Sequence, residues 1–303
     1  MVPSTVLLAT CARFPSGEED ERGLVGACAD LGVAASWAVW DDPAVDWAAA
    51  DLVVVRSTWD YTDRRRAFLR WASAAGRVAN PPVALAWSSD KTYLLDLAAA
   101  GVPVVPTAVV TGDDLPDVGD ADLVVKPSVG AGAVGAGRFR AADPDAPRRA
   151  RDHAAGLRAG GRTALAQPYL DGVEAEGEID LVFLGGGFSH AVRKGAMLRG
   201  DTVNPLDGPT AAELYVEERI APATPTDGEL AVAVRALTRV PGPRPLLYAR
   251  VDLLAGPHGP VVNEVELVEP SLFLRHSPGA VERLASSIAA HLHLKPGHLR
   301  VDN

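Results

Sequence analysis

The chain has 303 residues, 48% of them hydrophobic and 22% charged, with a formal net charge of −10. That acid excess excludes a uniformly basic surface for nucleic acid and argues against binding to an anionic membrane. The length leaves room for a sizeable core and two or three subdomains.

Cys11 and Cys28 are the only cysteines. They make neither a disulfide framework nor a zinc quartet and read as ordinary cytosolic thiols. The opening "MVPSTVLLATCA" lacks a basic n-region and reads as a first strand, not a signal peptide. No apolar run approaches the roughly 20 residues of a membrane helix. The expected compartment is the cytoplasm.

"TVLLATC" predicts a short apolar strand, and "DERGLVGACADLGV" a helix with Leu24, Ala27, Cys28 and Leu31 at helical spacing, stopped at Gly32. "AASWAVW" and "DLVVVRS" predict two more buried strands, and "DRRRAFLRWASAAG" an amphipathic helix with Phe68, Leu69 and Trp71 as its stripe. Alternation of this kind predicts a parallel sheet covered by helices over residues 1–85. "NPPVALAW" reads as a turn and a short helix. In "SSDKTYLLDLAAAGVPVVPT", Ser89 or Asp90 caps a helix that ends at Gly101, and a strand follows. Strands are expected near 122–126, 163–166 and 179–184, with a helix over 148–160. Residues 193–219 are polar and read as a partly mobile connection. A helix over 226–240, two strands in "LLYARVDLL" and "PVVNEVELV" and a last helix in "GAVERLASSIAAHL" complete the chain.

Residues 124–139, "VVKPSVGAGAVGAGRF", place Gly130, Gly132 and Gly135 at the spacing G-x-G-x-x-G. A dinucleotide fingerprint needs a helix opening at once after its strand. Here "RFRAADPDAP" follows instead, and Lys126 on the preceding strand is foreign to that motif. An NAD-dependent oxidoreductase would require a helix starting near Gly132. The other functional reading is a phosphate flap between two antiparallel strands, with backbone N–H donors and Lys126 at its base. A plain mobile hairpin tip is the third.

Alternate strand residues share a face. Arg250 and Asp252 therefore lie together on one strand, and Glu264 and Glu266 on the next. A five-residue loop, 256–260, sets Asp252 opposite Glu264 and Arg250 opposite Glu266. Unit charges about 4 Å apart repel by roughly 4 kcal/mol at an effective dielectric of about 20. Three carboxylates there suit Mg²⁺ or Mn²⁺, particularly with phosphates completing the shell. A solvated sheet face is the alternative.

In order, these segments resemble the ATP-grasp superfamily. "DKTYLLDLAAAGVPVVPT" resembles the start of its ATP-binding part, with a nucleotide-contacting Lys91. "VVKPSVGAGAVGAGRF" resembles its strand lysine, Lys126, and flap, with Ser128, Gly130 and Gly132 as cofactor contacts. "AQPYL" resembles the adenine hinge, Gln167, Pro168, Tyr169 and Leu170. "EGEIDLVFLGG" resembles the strand whose acid binds ribose, Glu178 with Glu174 as the alternative. "SHAVRK" places Lys194 like a further phosphate-contacting lysine. "ARVDLL" resembles the strand bearing a catalytic arginine, Arg250, and a metal acid, Asp252. "NEVE" resembles the E-x-N metal pair, with Glu266 after Glu264 where asparagine is usual.

The resemblance covers about residues 88–275. It implies an α/β (α+β) ATP-grasp fold in which an N-terminal parallel α/β domain, 1–88, precedes two α+β subdomains, 89–166 and 167–303, that clamp ATP. It also implies ATP and Mg²⁺ (or Mn²⁺) as cofactors and a carbon–nitrogen ligase acting through an acyl phosphate. "RSTWDY" follows the third strand, where open α/β sheets bind ligands. Arg56, Ser57, Thr58 and Asp60 are therefore substrate candidates, against a helix start at Thr62 or Asp63 as the structural alternative. "EPSLFLRH" adds Ser271, Arg275 and His276. Chain length, "RSTWDY", the "W…DKTYL" run and "ELVEPSLF" together are similar to the small actinobacterial ATP-grasp proteins, a group that includes an enzyme cyclising O-ureido-D-serine to D-cycloserine. An intermolecular amino acid or peptide ligase would share every nucleotide-site residue, and a non-catalytic ATP-binding protein is the reading of another class. The expected partner is a small amino-acid-like molecule, with no nucleic acid and no membrane; a homodimer is compatible with the sequence but not specified by it.

Overall fold

The computed structural model describes residues 3–198, 200–206 and 220–294. The expectation of a mobile connection over 193–219 lies outside the described residues at 199 and 207–219.

Three sheets carry the chain. The first holds β1 (Ser4–Thr10), β2 (Val33–Val39), β3 (Leu52–Val55) and β4 (Val78–Ala79), all parallel, in the order β2-β1-β3-β4. The parallel sheet read from the sequence is thus present. β2, however, is an edge strand and only half-buried, whereas β3 is buried throughout. Helix α1 (Leu24–Asp30) buries Leu24 and Cys28. Helix α2 (Tyr61–Ala74) buries Tyr61, Phe68 and Ala72 and starts directly after Asp60, earlier than expected. Short α3 (Pro82–Ser88) and α4 (Tyr93–Ala99) follow. The cap residue of α4 is Thr92; Asp90 instead accepts from the Thr92 N–H and hydroxyl. No strand follows at once: β5 (Ala108–Val110) comes later, and Val104 makes only an isolated bridge to Val262.

The second sheet is β5-β8-β6-β7, with β6 (Leu123–Pro127), β7 (Gly137–Phe139) and β8 (Ala164–Pro168) all antiparallel to their neighbours. Helix α5 (Ala146–Ala159) covers it with Ala146, Ala150, Ala154 and Leu157. A boundary at 166/167 would cut β8. The third sheet is β11-β10-β9-β12-β13. Its strands are β9 (Glu178–Leu184), β10 (Gly187–Lys194), β11 (Ala221–Ala223), β12 (Tyr248–Gly256) and β13 (Gly259–Glu266). Helices α6 (Gly172–Glu176), α7 (Asp227–Leu237) and α8 (Ala280–Leu292) complete it. The sequence reading contained neither β11 nor α6; each is five residues or shorter and carries no clear period.

One core joins the first and third sheets: Val6, Leu8, Leu24 and Leu52 share a cluster with Val182, Tyr248, Leu284 and Ile288. Asn80, fully buried, ties the same seam by donating to the carbonyls of Tyr248 and Leu267 and accepting from the Leu247 N–H. The second sheet has a separate core of Val110, Leu123, Val125, Phe139 and the apolar face of α5. The cleft between it and the third sheet is the candidate site.

Candidate active site

The acidic hairpin has the expected register at its functional end, reached by a different route. Asp252 pairs with Glu264 and Arg250 with Glu266. The turn is not the expected five residues, because Gly256 already pairs with Gly259. A β-bulge between Asp252 and Leu253 restores the register, with Asn263 as the extra residue. A bulge can aim two successive side chains to one side, and both Asn263 and Glu264 line the cleft. Asp252, Glu264 and Glu266 bring ligand oxygens within 4.8 Å of one another.

Cations surround these acids. Lys91 Nζ lies 3.5 Å from Glu264 and donates to the Gly130 carbonyl at 2.5 Å. Lys126 Nζ lies 3.4 Å from the other Glu264 oxygen. Lys194 Nζ sits 2.9 Å from Asp180, 3.3 Å from Glu178 and 3.8 Å from Asp252. Arg250 grips Asp252 in bidentate fashion at 2.7 and 2.9 Å and reaches Glu266 at 2.8 Å. Burial favours the neutral acid at both hairpin glutamates. At Glu264, Lys91 and Lys126 outweigh it and hold the carboxyl at about 2. At Glu266, burial prevails over Arg250 and lifts it to about 7. Burial lowers Lys126, whereas at Lys194 the opposing burial is outweighed by Asp180 and Glu178. Five carboxylates thus face four cations, a set poised to take a further cation together with an anion.

The cleft encloses about 150 Å³. Gly130 and Gly132 line its roof, and β6 and β7 flank that loop as antiparallel strands. No helix opens near Gly132, so the Rossmann reading fails; the loop bridges two strands of one sheet. Asn204 donates through its side chain to the Ala133 carbonyl and through its backbone to that of Ala136, bracing the loop. Gln167, Pro168, Tyr169 and Leu170 line the far end. The Gln167 side chain donates to the Thr107 hydroxyl at 2.8 Å. Glu178 lines the cleft and accepts from Asn263 at 2.7 Å. Its alternative, Glu174, is drawn aside by Arg138 at 2.5 Å.

Other expected residues lie elsewhere. Ser128 is buried, with its backbone joined to Thr163 and Lys91, and is absent from the cleft wall. Arg56 is buried over the Tyr248 ring, ion-paired to Glu21 and donating to the Pro270 carbonyl. That pairing neutralises it and makes it a tie between sheets, not a free carboxylate receptor. Ser57 donates to Glu21 at 2.6 Å. Asp60 accepts from Trp40 and pairs with Arg64, which makes it a helix-start residue. Thr58 is fully buried, and Ser271 enters the site through its carbonyl, which accepts from Arg250. Arg275 is exposed beside Asp20.

Two residues went unread in the sequence. Asp180, fully buried, pairs across β9–β12 with Asp252; simple alternation from Glu178 would have found it. Asn263 depends on the bulge, which no spacing rule announces.

Among the described residues no helix is long and apolar enough to cross a membrane. Residues 6–80 match the family described as the N-terminal domain of the D-cycloserine synthetase DcsG. The chain is 37% identical over 290 residues to the cycloserine biosynthesis protein DcsG of Streptomyces lavendulae, covering 90% of this chain and 94% of that protein. It superposes on the crystal structure of D-cycloserine synthetase DcsG with a TM-score of 0.82 at 33% identity, covering 95% of this chain and 100% of that one. The ATP-grasp ligase PsnB, complexed with a phosphomimetic variant of its minimal precursor, Mg and ADP, gives a TM-score of 0.62 at 17% identity, over 96% and 99% of the two chains. The fold is therefore the ATP-grasp fold.

Proposed function

The chain belongs to the family of DcsG, within the ATP-grasp ligases, and from that premise we propose that it is an ADP-forming carbon–nitrogen ligase that closes O-ureido-D-serine to D-cycloserine. The observation that carries the reading is the convergence of Asp252, Glu264 and Glu266 under the glycine loop, with Lys91, Lys126 and Lys194 around them.

ATP would lie in the cleft with adenine against the backbone of Gln167–Leu170 and ribose at Glu178. Three converging carboxylates are a hard-oxygen donor set that fits Mg²⁺, or Mn²⁺ in its place. The ion, when bound, neutralises charge on the β- and γ-phosphates. Lys91, Lys126 and Lys194 oppose the remaining phosphate charge. The substrate carboxylate attacks the γ-phosphorus and ADP departs, leaving an acyl phosphate. The oxygen-bound ureido nitrogen of the same molecule then attacks the acyl carbon, gives up its proton, and phosphate leaves; the ring reaches D-cycloserine only when its carbamoyl group is also lost, with water, as carbon dioxide and ammonia. Arg250 would steady the oxyanion of that second step. Its contacts to Asp252, Glu266 and the Ser271 carbonyl fix the guanidinium plane in advance. The glycine loop closes over the site and excludes water, which would otherwise hydrolyse the acyl phosphate.

The test is ADP release across a panel of amino acids that includes O-ureido-D-serine, with products identified by mass spectrometry. A cyclised product is expected. Asp252→Asn and Glu264→Gln should each lower Mg²⁺-dependent turnover by at least about a hundredfold. Unchanged turnover in either variant would remove the metal assignment.

A further inference from the structure

A second, smaller cavity of about 20 Å³, room for roughly one water-sized group, adjoins the cleft and shares Lys91, Gly130, Glu264 and Glu266 with it. Its far wall holds Glu269, which is 5% exposed. Glu269 Oε2 is buried and has no hydrogen-bond partner among the described residues. An orphaned carboxylate oxygen in such a place is costly, so it calls for a ligand or a function. Lys91 is the only cation among the described residues that line this cavity, and it is already engaged by Gly130 and Glu264. Arg250 and Arg56 also act on Glu269, but Arg250 is held by Asp252 and Glu266 and Arg56 is ion-paired to Glu21, with its Nη1 left without a partner among the described residues. The Ser88 hydroxyl donates to the Val265 carbonyl, and the Tyr93 hydroxyl accepts from the Val265 N–H. The cavity is therefore acidic, small and short of a cation.

We propose that this cavity is the receptor for the ammonium group of the substrate, with Glu269 as its carboxylate partner, so that the enzyme selects carboxylates bearing an adjacent amino group. The proposal rests on the ligase reading above. Its geometry is consistent with that reading: in an α-amino acid the carboxylate and ammonium sit on one carbon, and the two cavities meet at Glu264 and Glu266. A carboxylate presented to the metal hairpin would carry its ammonium toward Glu269. Burial, then the neighbouring Glu266, raise Glu269 well above the usual carboxylate range, as expected for an acid kept neutral until a cation enters. Neither Arg56, expected from sequence to meet the substrate carboxylate, nor Asp60 lines either cavity.

The probes are O-ureido-D-serine and its des-amino analogue, 3-(carbamoylaminooxy)propanoate. ADP release would be measured at saturating Mg²⁺ and ATP on wild type, Glu269→Gln and Glu269→Asp. Wild type should prefer the amino substrate by about a hundredfold or more in kcat/KM, because a site built for a polar group rejects the analogue lacking it. Glu269→Gln should raise KM for the amino substrate by about tenfold or more, with KM for ATP unchanged. It should also bring the two substrates within about threefold of each other. Glu269→Asp, which keeps the charge, should retain the preference and guards against a merely structural loss. Equal use of both probes by wild type overturns the proposal, as does a preference intact in Glu269→Gln. A changed Mg²⁺ requirement with unaltered KM for the amino substrate also overturns it and makes Glu269 a metal residue. If wild type releases no ADP with either probe, the substrate assignment fails by itself. Calorimetric binding in the presence of Mg²⁺ and a non-hydrolysable ATP analogue then decides for Glu269. Binding of the amino probe alone, lost in Glu269→Gln, supports it; equal binding of both probes, or none, overturns it.

Discussion

Glu264 and Glu266 are two residues apart on one face, yet one is held at about 2 and the other lifted to about 7. Burial acts on both; the difference is two lysines beside the first and one shared arginine beside the second. The same competition operates away from the site at Glu18. Burial, reinforced by Glu21, lifts its carboxyl from 4.5 to about 7 against a hydrogen bond from Trp59. Because the folded value lies above the unfolded one, the folded state holds the proton more tightly. Its contribution to stability is full below about 4.5 and is lost as pH rises toward about 7. Four histidines, His153, His190, His276 and His291, are lowered chiefly by burial and act in the opposite sense, gaining stability as pH rises toward 6.5. The raw stability curve therefore mixes the two effects, and a difference curve separates them. Urea unfolding of wild type and Glu18→Gln should show the variant gaining on wild type from pH 5 to 7 and levelling above. A flat difference would mean that Glu18 carries no desolvation penalty.

At the scale of elements, the site depends on where strands begin and how they pair. Gly177 opens β9 with φ 75° and ψ −175°, a region essentially reserved for glycine. A Cβ there would come within 2.5 Å of the Lys194 carbonyl oxygen. Gly177→Ala should therefore cost about 1–3 kcal/mol from the backbone alone. It should also weaken ATP binding, since Glu178 and Lys194 face each other at that end of β9–β10. Denaturant midpoints and nucleotide titration would measure both, and wild-type values in each would refute the argument. Much of this scale was legible beforehand. Alternation of two placed Arg250, Asp252, Glu264 and Glu266 on one face, and the missing helix after Gly135 marked the loop as a strand connection. What was not legible has a physical cause. The loop of the acidic hairpin was misjudged because a shorter turn plus one bulged residue gives the same pairing at Asp252. Arg56 looked like a ligand group because its counter-ion, Glu21, lies 35 residues away in sequence. The edge position of β2 depends on strand order, which local pattern does not encode.

For the whole molecule, the division of cores determines what moves. The first and third sheets share one cluster, pinned by Asn80 and by Arg56 reaching the Pro270 carbonyl. Moving one against the other would break buried hydrogen bonds and open a packed core, each costly. The second sheet has its own core and meets the third through a small cluster of Val124, Tyr169 and Val173 against Leu254, and through the cleft, where Lys126 and the glycine loop face Glu264 and Lys91. Across that seam Lys126 lies 3.4 Å from Glu264, charges between which a bound nucleotide and metal would sit. A ligand that binds only the folded, closed form stabilises it by an amount that grows with the logarithm of its concentration over its Kd. Hydrogen exchange should therefore slow at residues 123–139 and 164–170 when Mg²⁺ and a non-hydrolysable ATP analogue are added together. The strands β1 and β3 should exchange at an unchanged rate, because their core does not include the cleft. Glu264→Gln should abolish the protection at 123–139 while leaving β1 and β3 as in wild type. Equal slowing across all three sheets would show instead that the molecule closes as one body, and the separate core of the second sheet would then have no bearing on how the cleft opens.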